Sequence, residues 1–120
     1  LKGFLAIEAP LADAAAALKT FAADAGLLLG PALENFTRRA EALAGHGLPV
    51  ETIRYDAAFG RPLDYYTGLV FEIGMAGGQR PLVGGGRYDR LVTLLGAKAP
   101  IPGVGFSVWL DRIAAVREER

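Results

Sequence analysis

Leu11, Ala14, Ala15, Leu18, Phe21, Ala22 and Ala25 recur at spacings of three and four, with Lys19 and Asp24 off the stripe. That period puts one apolar face on a helix that starts near Pro10, a residue tolerated in a first turn, and ends at Gly26. The stripe is mostly alanine, so the helix packs closely, buries little area per residue and reads as structural. A second helix is expected after Gly30-Pro31. It turns Leu33, Phe36, Ala40 and Leu43 inward, leaves Glu34, Arg38, Arg39 and Glu41 solvated, and closes at Gly45-His46-Gly47. A short apolar piece, Phe4 to Ile7, precedes both helices.

From Val50 the period changes to two. Ile53, Tyr55, Ala57 and Phe59 alternate with Thr52, Arg54 and Asp56, the pattern of a half-buried strand. Gly60 to Pro62 breaks the run, and Pro62 keeps Arg61 out of the α region. A longer strand is expected over residues 64 to 73, with Tyr65, Thr67, Leu69, Phe71 and Ile73 on one face and Tyr66, Gly68, Val70 and Glu72 on the other. Gly74 to Arg80 reads as a glycine-rich turn and Pro81 to Val83 as the returning strand. Connections this short require antiparallel neighbours, which argues against a doubly wound nucleotide fold.

The triple glycine Gly84-Gly85-Gly86 reads as a sharp passage into a third helix. That helix begins within Arg87-Tyr88-Asp89, carries Tyr88, Leu91, Val92 and Leu95, and stops at Gly96. Lys98 to Pro102 forms a stiff connector, Val104 to Val108 a final strand, and Leu110 to Val116 a final helix leading into a charged run. The order of elements predicts an α+β fold, an antiparallel sheet flanked by helices.

A chain of 120 residues is long enough for one domain with a real core and too short for two. The expected division is a helical segment over 1–48 and a sheet with helices over 49–120. Thirteen basic and thirteen acidic residues cancel, leaving no electrostatic footprint for nucleic acid or for an anionic membrane. With no cysteine there can be no disulfide, thiolate metal site or thiol nucleophile, which fits a reducing cytoplasm. No apolar run approaches a membrane span, and no signal-peptide pattern opens the chain. The sequence starts at Leu1 in mid-pattern, so a piece of a longer protein is expected.

Few residues offer chemistry. His46 is the single histidine and sits where a helix ends, so it reads as a cap or loop residue; one imidazole without a second donor makes no metal site, and neither metal nor cofactor is expected. The glycine run lacks both the Gly-x-Gly-x-x-Gly spacing and the Gly-Lys-Ser/Thr ending of nucleotide loops. No Ser/His/Asp set or carboxylate dyad can be assembled. What remains is Tyr66 beside Gly68, which reads either as a strand bulge or as room for a ligand, and Arg61, Glu72, Arg87 and Asp89, whose mixed charges suit an amphoteric ligand or a set of surface ion pairs.

Three stretches taken together resemble one family. Arg61-Pro62-Leu63-Asp64-Tyr65-Tyr66-Thr67-Gly68 with Val70-Phe71-Glu72 resembles the first histidine-specific segment of histidyl-tRNA synthetases. Gly85-Gly86-Arg87-Tyr88-Asp89 resembles the second, and Gly103-Val104-Gly105-Phe106 through Asp111-Arg112 resembles class II synthetase motif 3. They cover most of residues 56 to 114 in the family's order. Two features turn the resemblance toward a paralogue, the regulatory subunit of ATP phosphoribosyltransferase. Trp109 stands where motif 3 carries a glycine that lets ATP approach the sheet, and Pro62 replaces the glycine that follows the first arginine. The chain also stops where a synthetase would continue into an anticodon-binding domain.

The paralogue implies a partial class II synthetase core without catalytic residues. Its partner would be the short-form catalytic phosphoribosyltransferase subunit, which it would enable while taking part in histidine feedback; self-association of the full-length protein is also implied. Carried over residue by residue, the resemblance puts histidine between Tyr66 and Tyr88, its carboxylate near Arg61, and Gly85 and Gly86 in the wall, with Tyr65 and Arg87 as further contacts. Trp109 and Arg112 would be the remnant of the ATP site. The other reading is a fragment of a histidyl-tRNA synthetase that activates histidine with ATP.

Overall fold

A computed structural model describes residues 1–78 and 80–119. Position 79, inside the expected Gly74 to Arg80 turn, and position 120, at the end of the charged run, lie outside the described residues. The chain divides into two compact units, Leu1–Phe59 and Gly60–Arg120. The division falls at Gly60 rather than near residue 48, because the strand expected from Val50 onward joins the helices and not the later sheet.

In the first unit a one-turn helix α1 (Lys2–Leu5) leads into a short strand β1 (Glu8–Pro10), then helices α2 (Leu11–Asp24) and α3 (Gly30–Gly45), then strand β2 (Arg54–Asp56). β1 and β2 pair antiparallel, with Ala9 opposite Tyr55. Both helices match the periodicity. Gly26 and Gly47 take positive φ (64° and 79°), the left-handed ends that glycine adopts without penalty. His46 caps α3, its backbone N–H reaching the Ala42 carbonyl.

Helix α2 has no side-chain cap. Pro10 fills the cap position, and the first free N–H groups of the helix, on Leu11 and Ala12, go to the carbonyls of Ile53 and Val50. Those donors would otherwise lack partners, so the bonds tie the loop before β2 to the start of α2. The small core follows the alanine stripe: Ala14, Leu18, Ala22 and Val50 are buried. Phe4 and Phe21 close one end at 5.9 Å, and Phe36 meets Tyr55 edge-on at 5.2 Å.

The second unit is a three-stranded antiparallel sheet, β3 (Val70–Ile73), β4 (Val83–Arg87) and β5 (Val104–Val108), in the order β3-β4-β5. A one-turn helix α4 (Leu91–Leu94) and the final helix α5 (Leu110–Glu118) complete it. The α+β class, the antiparallel pairing, β5 and α5 agree with the sequence reading.

Three expectations need correction. The long strand over 64–73 shrinks to its last four residues. The Thr67 N–H takes the Arg87 carbonyl and the Arg87 N–H takes the Leu69 carbonyl, an irregular step that lifts Tyr65 and Tyr66 off the ladder. The triple glycine is not a passage into a helix but the middle of the central strand, fully buried. The third helix accordingly starts at Leu91 rather than at Arg87, which is the last residue of β4.

Leu18 is the largest of the buried core side chains of the first unit. Leu18→Ala in the full-length protein is expected to cost about 2–3 kcal/mol, the lower part of the range for a core leucine, since its neighbours are small. A urea melt that moves by less than 0.5 kcal/mol would show that this unit does not depend on the α2 stripe.

Candidate functional site

The second unit carries a stretch of sheet with no side chains, and the register explains it. Gly86 is paired with Val70 on one side and Gly105 on the other; Gly84 is paired with Glu72 and Ser107. Residues directly opposite in an antiparallel sheet share a face, so Gly84, Gly86 and Gly105 lie together with Glu72, Val70 and Ser107. This floor is covered from above by side chains that need the missing Cβ atoms.

Arg61 lies across Gly84, where a Cβ would overlap its Nη1 and come within 2.7 Å of Cζ. Tyr66 lies across Gly86, its ring carbons 2.8 Å from where a Cβ would stand. Tyr88 covers the next strand: its ring would meet a Cβ on Gly103 at 2.8 Å, and its hydroxyl sits over Gly105. The Tyr88 N–H, bonded to the Gly103 carbonyl at 2.8 Å, holds that ring in place. Tyr65 joins the two walls, 4.8 Å from Tyr66 and 5.7 Å edge-on from Tyr88.

Arg61 is the electrostatic centre. Its side chain is 11% exposed, and Nη1 lies 3.3 Å from Oε1 of Glu72, an ion-pair distance without hydrogen-bond alignment. Nε and Nη1 are both buried without a hydrogen-bond partner. Unpaired buried donors on a cation are costly, which sets this guanidinium apart among the described side chains. It also sits 5.6 Å from the centre of the Trp109 ring, and Arg112 stacks on the same indole at 4.4 Å. Arg112 Nη1 donates to the Pro81 carbonyl at 2.6 Å, which fixes it as a packing contact between α5 and the start of β4.

Burial raises the Tyr66 phenol pKa above its usual value of 10.0; the adjacent Tyr65 phenol adds to this and Arg61 partly offsets it. The hydroxyl therefore stays protonated at neutral pH and can donate a hydrogen bond.

Of the residues named from sequence, Arg61, Tyr65, Tyr66, Gly86 and Tyr88 come together over the floor, with Trp109 and Arg112 attached through Arg61. Gly85 and Arg87 do not join them. Gly85 pairs with Phe106 on the reverse face, and Arg87 points the same way, its stem against Gly68 and its Nε on Asp89. Glu72, one of the mixed charges named from sequence, joins Arg61. Gly84, Gly103 and Gly105 stood in the glycine-rich segments but were not singled out; a period of two counted back from Gly86 would have found Gly84. Among the described residues no group of three or more metal-ligating side chains occurs.

The model of the histidyl-tRNA synthetase family matches residues 3–113. The chain belongs to that family. Among its relatives, the ATP phosphoribosyltransferase regulatory subunit of Mesorhizobium japonicum is 75% identical over 98% of this chain, and that of Chelativorans sp. is 64% identical over all of it. The chain spans about a third of the length of these relatives, 32% in each case. A crystal structure of a histidine–tRNA ligase subunit from Alicyclobacillus acidocaldarius superposes with a TM-score of 0.64 at 44% identity, covering 74% of this chain and 26% of that one.

Two outcomes are expected. Gly85→Ala and Gly86→Ala meet backbone and should each cost about 1–3 kcal/mol in urea unfolding, whereas Gly84→Ala meets only the movable end of Arg61 and should cost less. Equal losses at all three positions would contradict the register. Because a raised tyrosine pKa means tighter proton binding in the folded state, the Tyr66 contribution to stability is present at neutral pH and lost only as pH rises above 10. Ultraviolet titration of the parent minus Tyr66→Phe should show the missing phenol ionising above pH 10; ionisation below that value would oppose this placement.

Proposed function

We propose that the protein from which this chain comes is a non-catalytic regulatory subunit of ATP phosphoribosyltransferase, with the glycine floor as its histidine site. In this reading the Arg61 guanidinium faces the carboxylate, Tyr66 and Tyr88 hold the imidazole, and Gly86 lets the Tyr66 ring come down onto the sheet. Gly85 and Arg87 support the floor from behind.

The observation that carries the choice of a regulatory role is Trp109. Its indole stands where motif 3 of the resembling synthetases has glycine, and two guanidiniums pack against it. An aromatic ring in contact with two cations occupies space and engages the charge that a triphosphate would need. The regulatory subunits among the relatives support the same choice. The partner is then the short-form catalytic subunit, in the cytoplasm, and the full-length protein self-associates. Among the described residues no helix is long and apolar enough to cross a membrane.

The synthetase reading draws on the family match and on the Alicyclobacillus structure. The two separate cleanly in one experiment. Full-length protein added to a short-form catalytic subunit should raise phosphoribosyl transfer from near background by at least tenfold and make it sensitive to histidine, and should give no ATP-dependent histidine adenylation. Adenylation without any effect on phosphoribosyl transfer would replace the regulatory reading with the synthetase one.

A further inference from the structure

Thr67 covers no glycine of the floor and carries no charge, yet it connects both aromatic walls. It follows Tyr66 directly, and its Oγ1 accepts the backbone N–H of Asp89, the residue after Tyr88, at 2.9 Å. Its own N–H goes to the Arg87 carbonyl, on the near side of Tyr88, at 2.9 Å. Tyr88 is thereby bracketed, with the residue before it and the residue after it both bonded to the neighbour of Tyr66.

The Asp89 end of the bracket is itself held. Both carboxylate oxygens of Asp89 lie 2.9 Å from Arg87 Nε, and the stem of Arg87 rests on Gly68, whose missing Cβ would be 3.5 Å away. Any residue but proline at position 67 can make the backbone bond. Only a residue with an acceptor on a short side chain can also take the Asp89 N–H. The remaining link between the walls is the ring contact through Tyr65, which is weakly directional by comparison.

We propose that Thr67 is a positioning residue for the ligand site: its hydroxyl latches the Tyr66 segment to the Tyr88 turn and so fixes the separation of the two rings between which the histidine reading puts the imidazole. The proposal rests on the histidine reading given above and adds to it the residue that sets the width of the slot. A slot of fixed width distinguishes a bare imidazole from one carrying a methyl group, whereas a slot whose walls can part loses that discrimination before it loses folding.

The test uses the full-length protein, with L-histidine and 1-methyl-L-histidine as probes in calorimetric titration. Thr67→Val, which keeps the shape and removes the acceptor, should weaken histidine binding about tenfold, the effect of one lost hydrogen bond, and should narrow the histidine to 1-methylhistidine affinity ratio by a similar factor. Thr67→Ser should restore both. Thr67→Ala serves if the valine variant does not fold. Unchanged affinity and unchanged ratio in the valine variant, or a serine variant as impaired as valine, would overturn the latch alone, provided that Tyr66→Ala abolishes binding. Parent protein that fails to bind histidine, or binding indifferent to Tyr66→Ala, overturns the histidine reading and the latch together.

Discussion

The second unit is built over an absence of side chains. Gly84 and Gly86 in the central strand, with Gly105 beside them, bring Arg61, Tyr66 and Tyr88 down to the backbone of the sheet, where a single methyl group would hold them off. Central strands usually hold a sheet together through side chains packed on both faces, and glycine weakens a strand by removing them. Here the packing is supplied from above by groups that arrive from the loops before β3 and after β4. The stability of the sheet and the shape of its polar face are therefore one problem with one solution.

That arrangement also explains the strained electrostatics of Arg61. Sunk over Gly84, the guanidinium is almost out of water and faces one carboxylate that it meets off-axis. Glu72 keeps the charge compensated, since an uncompensated buried cation would destabilise the fold by several kcal/mol. Its imperfect alignment leaves Nε and Nη1 without hydrogen-bond partners. A well-formed bidentate pair would have satisfied such donors and been more stable.

Much of the fold was legible because its helices have strong patterns. The stripe from Leu11 to Ala25 and the Leu33, Phe36, Ala40, Leu43 series set α2 and α3 almost to the residue, and Val104 to Val108 stood out as a strand. The central strand was legible only at its start, where the returning strand expected over Pro81 to Val83 meets it, because period-based reading works on side chains and Val83–Arg87 has three consecutive residues without one. β1 is three residues long and takes its identity from pairing with β2, which no local window contains. The site was legible in part for the same reasons. Arg61, Tyr66 and Tyr88 are marked by the resemblance, while choosing Gly84 over Gly85 requires the register, and the tie from Thr67 to Asp89 spans 22 residues.

Trp109 carries a consequence for what the unit can tolerate. A glycine there would not merely open space. It would take away the surface on which two guanidiniums rest, one of them already with donors unpaired, and leave α5 without the ring that Arg112 packs against. Position 109 works as a shared hinge pin: a change there is felt at once by the loop that carries Arg61 and by the helix that carries Arg112.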